Sequence, residues 1–165
     1  MTSPLSLLGL VHTAISLAPV AAGLYSFVRH GLIVPSTRSG RIYLVGLVLS
    51  VLTSFGLSST GGFNPGHALG ILALVAVAAS LLTPRLRFLG TLRPYLAAFG
   101  SSFSYFLLLV PGIAETLTRL PASQPLAQGS DSPVVRATLL GWTVLFVLGA
   151  ALQAWTIWTR RAVRS

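Results

Sequence analysis

PGHALGILALVAVAASLLT (residues 65–83) followed by PRLRFLGTLR (residues 84–93) decides the fold. Nineteen residues pass without a charge, opened by a proline where a helix can spare an N–H, and three arginines then crowd into the next ten. At about 1.5 Å of rise per residue such a helix covers roughly 28 Å, close to the ~30 Å hydrocarbon thickness of a bilayer. The stretch reads as a membrane-spanning helix ending in a basic turn.

The same pattern repeats outward along the chain. Apolar stretches at about 4–28, 42–58, 65–83, 94–120 and 133–159 qualify as spans, and Pro4, Pro65, Pro94 and Pro133 each stand where a helix would start. Composition agrees: only 8% of the 165 residues are charged and 53% are hydrophobic, whereas a soluble domain carries about 25% charged residues. Mean hydropathy is +0.83. The expected fold class is all-α, a single polytopic bundle of five transmembrane helices over residues 1–165. The short SSTGGFNPG connection (residues 58–66) makes the second and third spans an antiparallel hairpin.

Eleven arginines, no lysine and two acids, Glu115 and Asp131, produce a net charge of +9. A pI near 11.8 would suggest nucleic acid in a soluble chain, but these arginines lie in short segments beside the spans, so no nucleic-acid partner is expected. Arg29, Arg38, Arg41, Arg85, Arg87, Arg93, Arg160, Arg161 and Arg164 fall on one side of a five-span chain, and Arg119 and Arg136 on the other with both acids. The positive-inside rule then places the N-terminus outside and the C-terminus in the cytoplasm. Tyr25, Tyr43, Tyr95, Trp155 and Trp158 fall near the same inner interface. The expected location is a bacterial inner membrane, crossed several times. The first span lacks a basic leader and a small-residue cleavage site, and reads as an uncleaved anchor.

In lipid, helices associate through small residues that let backbones approach. Gly46, Ser50, Ser54 and Ser58 form one such row on the second span, and Ala14, Ala18, Ala22 and Ser26 another on the first. The serines of AAFGSSFS (residues 97–104) are expected to bond back to their own helix. These faces point to a compact bundle that can also form a homo-oligomer or join a larger membrane complex.

Ionisable groups at membrane depth mark function by default. His12 lies about 12 Å below the outer end of the first span, Glu115 about 8 Å below that of the fourth, and His67 in the first turn of the third. Ser101, Tyr105, Gly112, Glu115 and Arg119 share one side of the fourth helix, and His12, Ser16, Pro19 and Gly23 one side of the first. An outward-opening site lined by His12, His67, Tyr105, Glu115 and Arg119 is therefore expected. The plain structural reading stands beside it: Glu115 and Arg119 can neutralise each other at i, i+4, His67 can be an interfacial residue after a capping Asn64, and His12 can simply bond a serine or a carbonyl.

Three chemistries suit such a cluster. His12, His67 and Glu115 are ligand types for a divalent metal. Bis-histidine haem needs matched depths, and the two histidines differ by roughly 9 Å on the rise argument, so haem fits less well. A protonatable His–Glu–Tyr chain serving a quinol or a proton needs only proximity. Cysteine is absent, and so are nucleophile motifs, phosphate-cradling loops and dinucleotide fingerprints, so a non-enzymatic role leads.

SGRIYLVGLVLS (residues 39–50), FNPGHALGILALV (63–75) and SYFLLLVPGIAETLTRLP (104–121), together with His12 in the first span, resemble the bacterial membrane family catalogued as domain of unknown function number 2306. The resemblance runs from about Leu8 to Pro121. Where that family often carries a His–Arg pair just before Gly-Arg-x-Tyr, this chain has Ser36 and Thr37. The resemblance implies a multi-helix membrane protein without an established reaction, and marks His67, Tyr105, Glu115 and Arg119 as candidate functional positions. The function expected is a His/Glu site in the outer leaflet that binds a metal ion, a small ligand or a proton. The alternatives are a structural or accessory subunit, and a haem- or quinone-binding anchor of a redox system.

Overall fold

The structure, a computed structural model, describes residues 7–57 and 62–162. It is built of helices α1 (Leu7–His30), α2 (Arg38–Ser54), α3 (Pro65–Leu82), α4 (Arg93–Arg119) and α5 (Pro133–Ala162), with 3-10 turns at Phe55–Leu57, Thr83–Arg85 and Arg87–Leu92. No strand occurs among the described residues. All five helices, with their adjoining turns, are long and apolar enough to cross a membrane.

Several boundaries move from the sequence expectation for local reasons. Helix α2 starts at Arg38, four residues early, because Thr37 is its N-cap: the Thr37 hydroxyl accepts the Gly40 N–H at 3.0 Å. Its regular turns stop at Ser54 and tighten into the 3-10 turn, and the expected end at residue 58 lies outside the described residues. So does Pro4. Helix α5 runs past Thr159 through Arg160 and Arg161, cations that suit a helix C-terminus.

Helix α1 packs chiefly on α2, α3 on α4, and α5 on α4, with slimmer contacts joining α2 to α3 and α1 to α4. Two hairpins thus lie side by side with a fifth helix on the rim. The contact between α1 and α2 is set by Pro19 lying in the niche at Gly46, where a Cβ would stand 2.7 Å from the proline ring. That docking corrects one expected packing row. Ala22 and Ser26 are buried, but Ala14 and Ala18 face outward; the buried face of α1 turns instead toward Pro19 and Gly23. On α2, Gly46 and Ser50 are buried and Ser54 half-buried, and Ser58 lies outside the described residues.

The core is Tyr43, Leu47, Val51, Ala73, Val77, Tyr105 and Leu107. Polar groups within it are largely bonded, as lipid demands. Ser101 and Ser104 donate back to Ala98 and Ser101 carbonyls at 3.0 and 2.7 Å, and Ser80 crosses to the Ala97 carbonyl at 2.6 Å. Ser50 Oγ is the exception: it is buried without a hydrogen-bond partner among the described residues. Ser50→Ala should therefore leave stability unchanged or raise it by up to about 1 kcal/mol, since an unmet buried hydroxyl is unfavourable. Thermal unfolding in detergent checks this, and a clear loss of stability would mean that the hydroxyl has a partner after all.

Candidate polar site at the arginine-poor end

Contacts divide the bundle into two chemically unlike ends. Gln153 Nε2 of α5 donates to the Gly31 carbonyl at 2.8 Å and Arg161 Nη1 to the Thr91 carbonyl at 2.7 Å. These bonds gather the connections after α1 and α3 and the tail of α5 at one arginine-rich end. The opposite end carries the start of α1, the end of α2, the start of α3 and the end of α4.

There, two histidines meet consecutive residues of α2. His12 Nδ1 lies 2.8 Å from Thr53 Oγ1. The Thr53 hydroxyl is 2.8 Å from the Leu49 carbonyl and 3.1 Å from that of Ser50, so its one hydrogen stays on its own helix and it accepts from Nδ1–H. The Nε2 of His12 then carries the lone pair, with only Ser16 Oγ near it at 3.4 Å. The ring is half-buried and the Glu115 carboxylate is within electrostatic range. One basic nitrogen is left weakly engaged.

His67 is the opposite case. Asn64 caps α3, accepting the His67 N–H at 3.1 Å, and His67 Nδ1 accepts the Asn64 N–H at 3.3 Å. Its Nε2–H reaches across to the Ser54 carbonyl at 3.0 Å. The ring stacks on Phe55, centroids 4.6 Å apart, and is 3% exposed. Both nitrogens are spoken for, and no lone pair is offered to a metal or a haem iron. His67 clamps the start of α3 to the end of α2.

The other three expected residues separate. Glu115 and Arg119 form the i, i+4 ion pair, both side chains well exposed. Tyr105 sits ten residues below Glu115, about 15 Å along the helix. Its hydroxyl donates to the Val20 carbonyl at 3.1 Å and its ring covers Gly23. Tyr105 thus belongs to the α1–α4 core and does not line a site with His12. The reason is plain: Tyr105 and Glu115 share a side of α4, but ten residues of rise set them at different depths. Among the described residues no three His, Asp or Glu side chains converge as a metal set. What the structure does bring together is His12, Ser16 and Thr53, with Glu115 in range.

Two partners were not visible from sequence. In the sequence Thr53 is one more threonine in an apolar span. Gln153, which holds Ser102 Oγ at 2.9 Å as well as Gly31, had a signal in hindsight: it is the lone amide in an apolar span, which needs a partner in lipid. Comparison of the chain with family models, with curated proteins and with solved structures yields no match.

Proposed function

We propose that the chain is a small bacterial inner-membrane protein whose outer-leaflet His12 site accepts a proton or a small proton-donating ligand. The observation that carries this reading is the His12 ring itself: Nδ1 is committed to Thr53, and Nε2 keeps its lone pair with only Ser16 Oγ close to it, at 3.4 Å. A lone basic nitrogen of this kind suits a hydroxyl donor of the quinol type better than a metal ion, which needs more ligands. The haem alternative loses support because His67 would have to give up the hydrogen bond at whichever nitrogen ligated iron. Membership in the family of domain of unknown function number 2306 belongs to the same proposal, carried by the three motifs quoted above. The orientation, N-terminus outside, rests on the arginine-rich end facing the cytoplasm.

The structural or accessory reading also has an observation behind it. The His12–Thr53 bond ties α1 to α2, and the span in α5 is only 6% buried, against 17% to 33% for the other four. One experiment separates the two. Diethyl pyrocarbonate acylates imidazole nitrogens that hold a free lone pair, and peptide mapping locates the product. His12 and the exposed His30 are expected to react, and His67 to be spared. Tetramethylhydroquinone is expected to protect His12 about tenfold in the wild type and not in Glu115→Gln. Reaction at His12 without protection would favour the structural role, and an inert His12 would overturn the site.

A further inference from the structure

Eight described arginines at the arginine-rich end meet no carboxylate. The chain's only acidic side chains are Glu115 and Asp131, and both are engaged at the far end, with Arg119 and Arg136. Such a surface is short of anions by its own sequence.

Two of the eight are held in place. Arg93 Nε donates to the Gly90 carbonyl at 3.1 Å. Arg161 Nη1 donates to the next carbonyl, that of Thr91, at 2.7 Å, and its guanidinium lies over the Tyr95 ring, 5.6 Å from the centroid. Gly90 allows this arrangement, with φ +49° and ψ −120°, a backbone conformation closed to other residues. Two cations are thereby anchored on consecutive carbonyls, and each has spent one of its five N–H groups. The remaining donors are pre-arranged for an oxyanion with several acceptor oxygens, and phosphate is the group that a pair of guanidinium forks fits.

The flanks say where that phosphate comes from. Phe88 is 82% exposed, Leu92 57%, Trp155 63% and Trp158 56%. Large apolar and aromatic side chains left bare beside fixed arginines belong at the level of lipid headgroups, where acyl chains cover them. A soluble anion would leave them in water. A zwitterionic headgroup would bring its own cation against two others.

We propose that Arg93 and Arg161, braced by Gly90, Thr91 and Tyr95, form a discrete binding site for the phosphate headgroup of an anionic phospholipid. The acyl chains of that lipid lie along Phe88, Leu92 and Trp158. The site is independent of the His12 site at the other end of the bundle.

Native mass spectrometry of the full chain in detergent, titrated with diphosphatidylglycerol, phosphatidylcholine or inorganic phosphate, tests this. A stoichiometric diphosphatidylglycerol adduct is expected, without an equivalent for phosphatidylcholine. Affinity should fall about tenfold or more in the Arg93→Gln/Arg161→Gln variant, while Arg29→Gln/Arg38→Gln, which removes the same charge elsewhere, should lose little. Because Arg161 also anchors α5, Arg93→Gln alone serves as the variant with only a local bond to lose, and should bind about fivefold more weakly. Equal losses in both double variants would mean diffuse charge and would overturn the site. So would inorganic phosphate binding as tightly as the lipid, which would make the ligand a free anion.

Discussion

Gly40→Ala should leave little folded protein. A Cβ at position 40 would stand 1.9 Å from the Val34 carbonyl oxygen and 2.6 Å from its carbon, and a backbone carbonyl cannot swing aside as a side chain can. That carbonyl is itself in use, accepting the Thr37 N–H at 3.1 Å and the Thr37 hydroxyl at 2.8 Å. Thr37 in turn caps α2, and Ser39 beside it receives the Ser26 hydroxyl at 2.8 Å. Relieving the clash therefore means undoing the cap and the turn between α1 and α2 together. The expected loss is about 3 kcal/mol or more, at or beyond the top of the usual range for an added methyl in a packed site. The fraction of monodisperse protein on gel filtration and the unfolding temperature measure it. A variant that matched the wild type in both would show that the turn is looser than its contacts imply.

Tyr43→Ala should be nearly as damaging and for a different reason. The ring is fully enclosed, 0% exposed, against Gly23 and with the Tyr105 ring 6.1 Å away. Its hydroxyl lies 2.7 Å from Ser104 Oγ, whose own hydrogen goes to the Ser101 carbonyl, so Tyr43 donates. One side chain thus joins α2 to α1 and α4. Lipid tails are as apolar as the ring, so the gain from hiding it is small and the contacts themselves hold the helices. Truncation leaves a void at the meeting of three helices, for which about 3–5 kcal/mol is the expected loss. Tyr43→Phe keeps the ring and gives up one hydrogen bond, for about 1 kcal/mol. Unfolding of both variants by dodecyl sulfate in mixed micelles compares them. Equal losses would refute the packing account.

The spans were legible because lipid imposes a crude rule: a crossing segment must be apolar for some twenty residues, and 65–83 followed by its arginines obeys it. The start of α2 was not, since it is hidden among Arg38 and Arg41 and set by a threonine cap that hydropathy does not register. On α1 the row Ala14, Ala18, Ala22 and Ser26 reads as the packing face, and only the partner surface, Gly46 and the Tyr105 ring, turns the contact toward Pro19 and Gly23. The candidate site was half legible. His12 and its Ser16 neighbour share a face and were found; the Glu115–Arg119 pair was written in its spacing. His67 was visible as a residue after a cap, but the reach of its second nitrogen to Ser54 depends on how α2 ends. Tyr105 had the right side of α4 and the wrong height.

Unequal helix lengths have their own outcome in a bilayer. Helix α2 has 17 residues and α5 has 30, which at the helical rise is about 26 Å against about 45 Å. A membrane with ~30 Å of hydrocarbon suits the first standing upright and the second only when it leans or protrudes. Membrane thickness, and hence the length of the acyl chains that a cell makes, becomes a force acting on the angle between α5 and the rest.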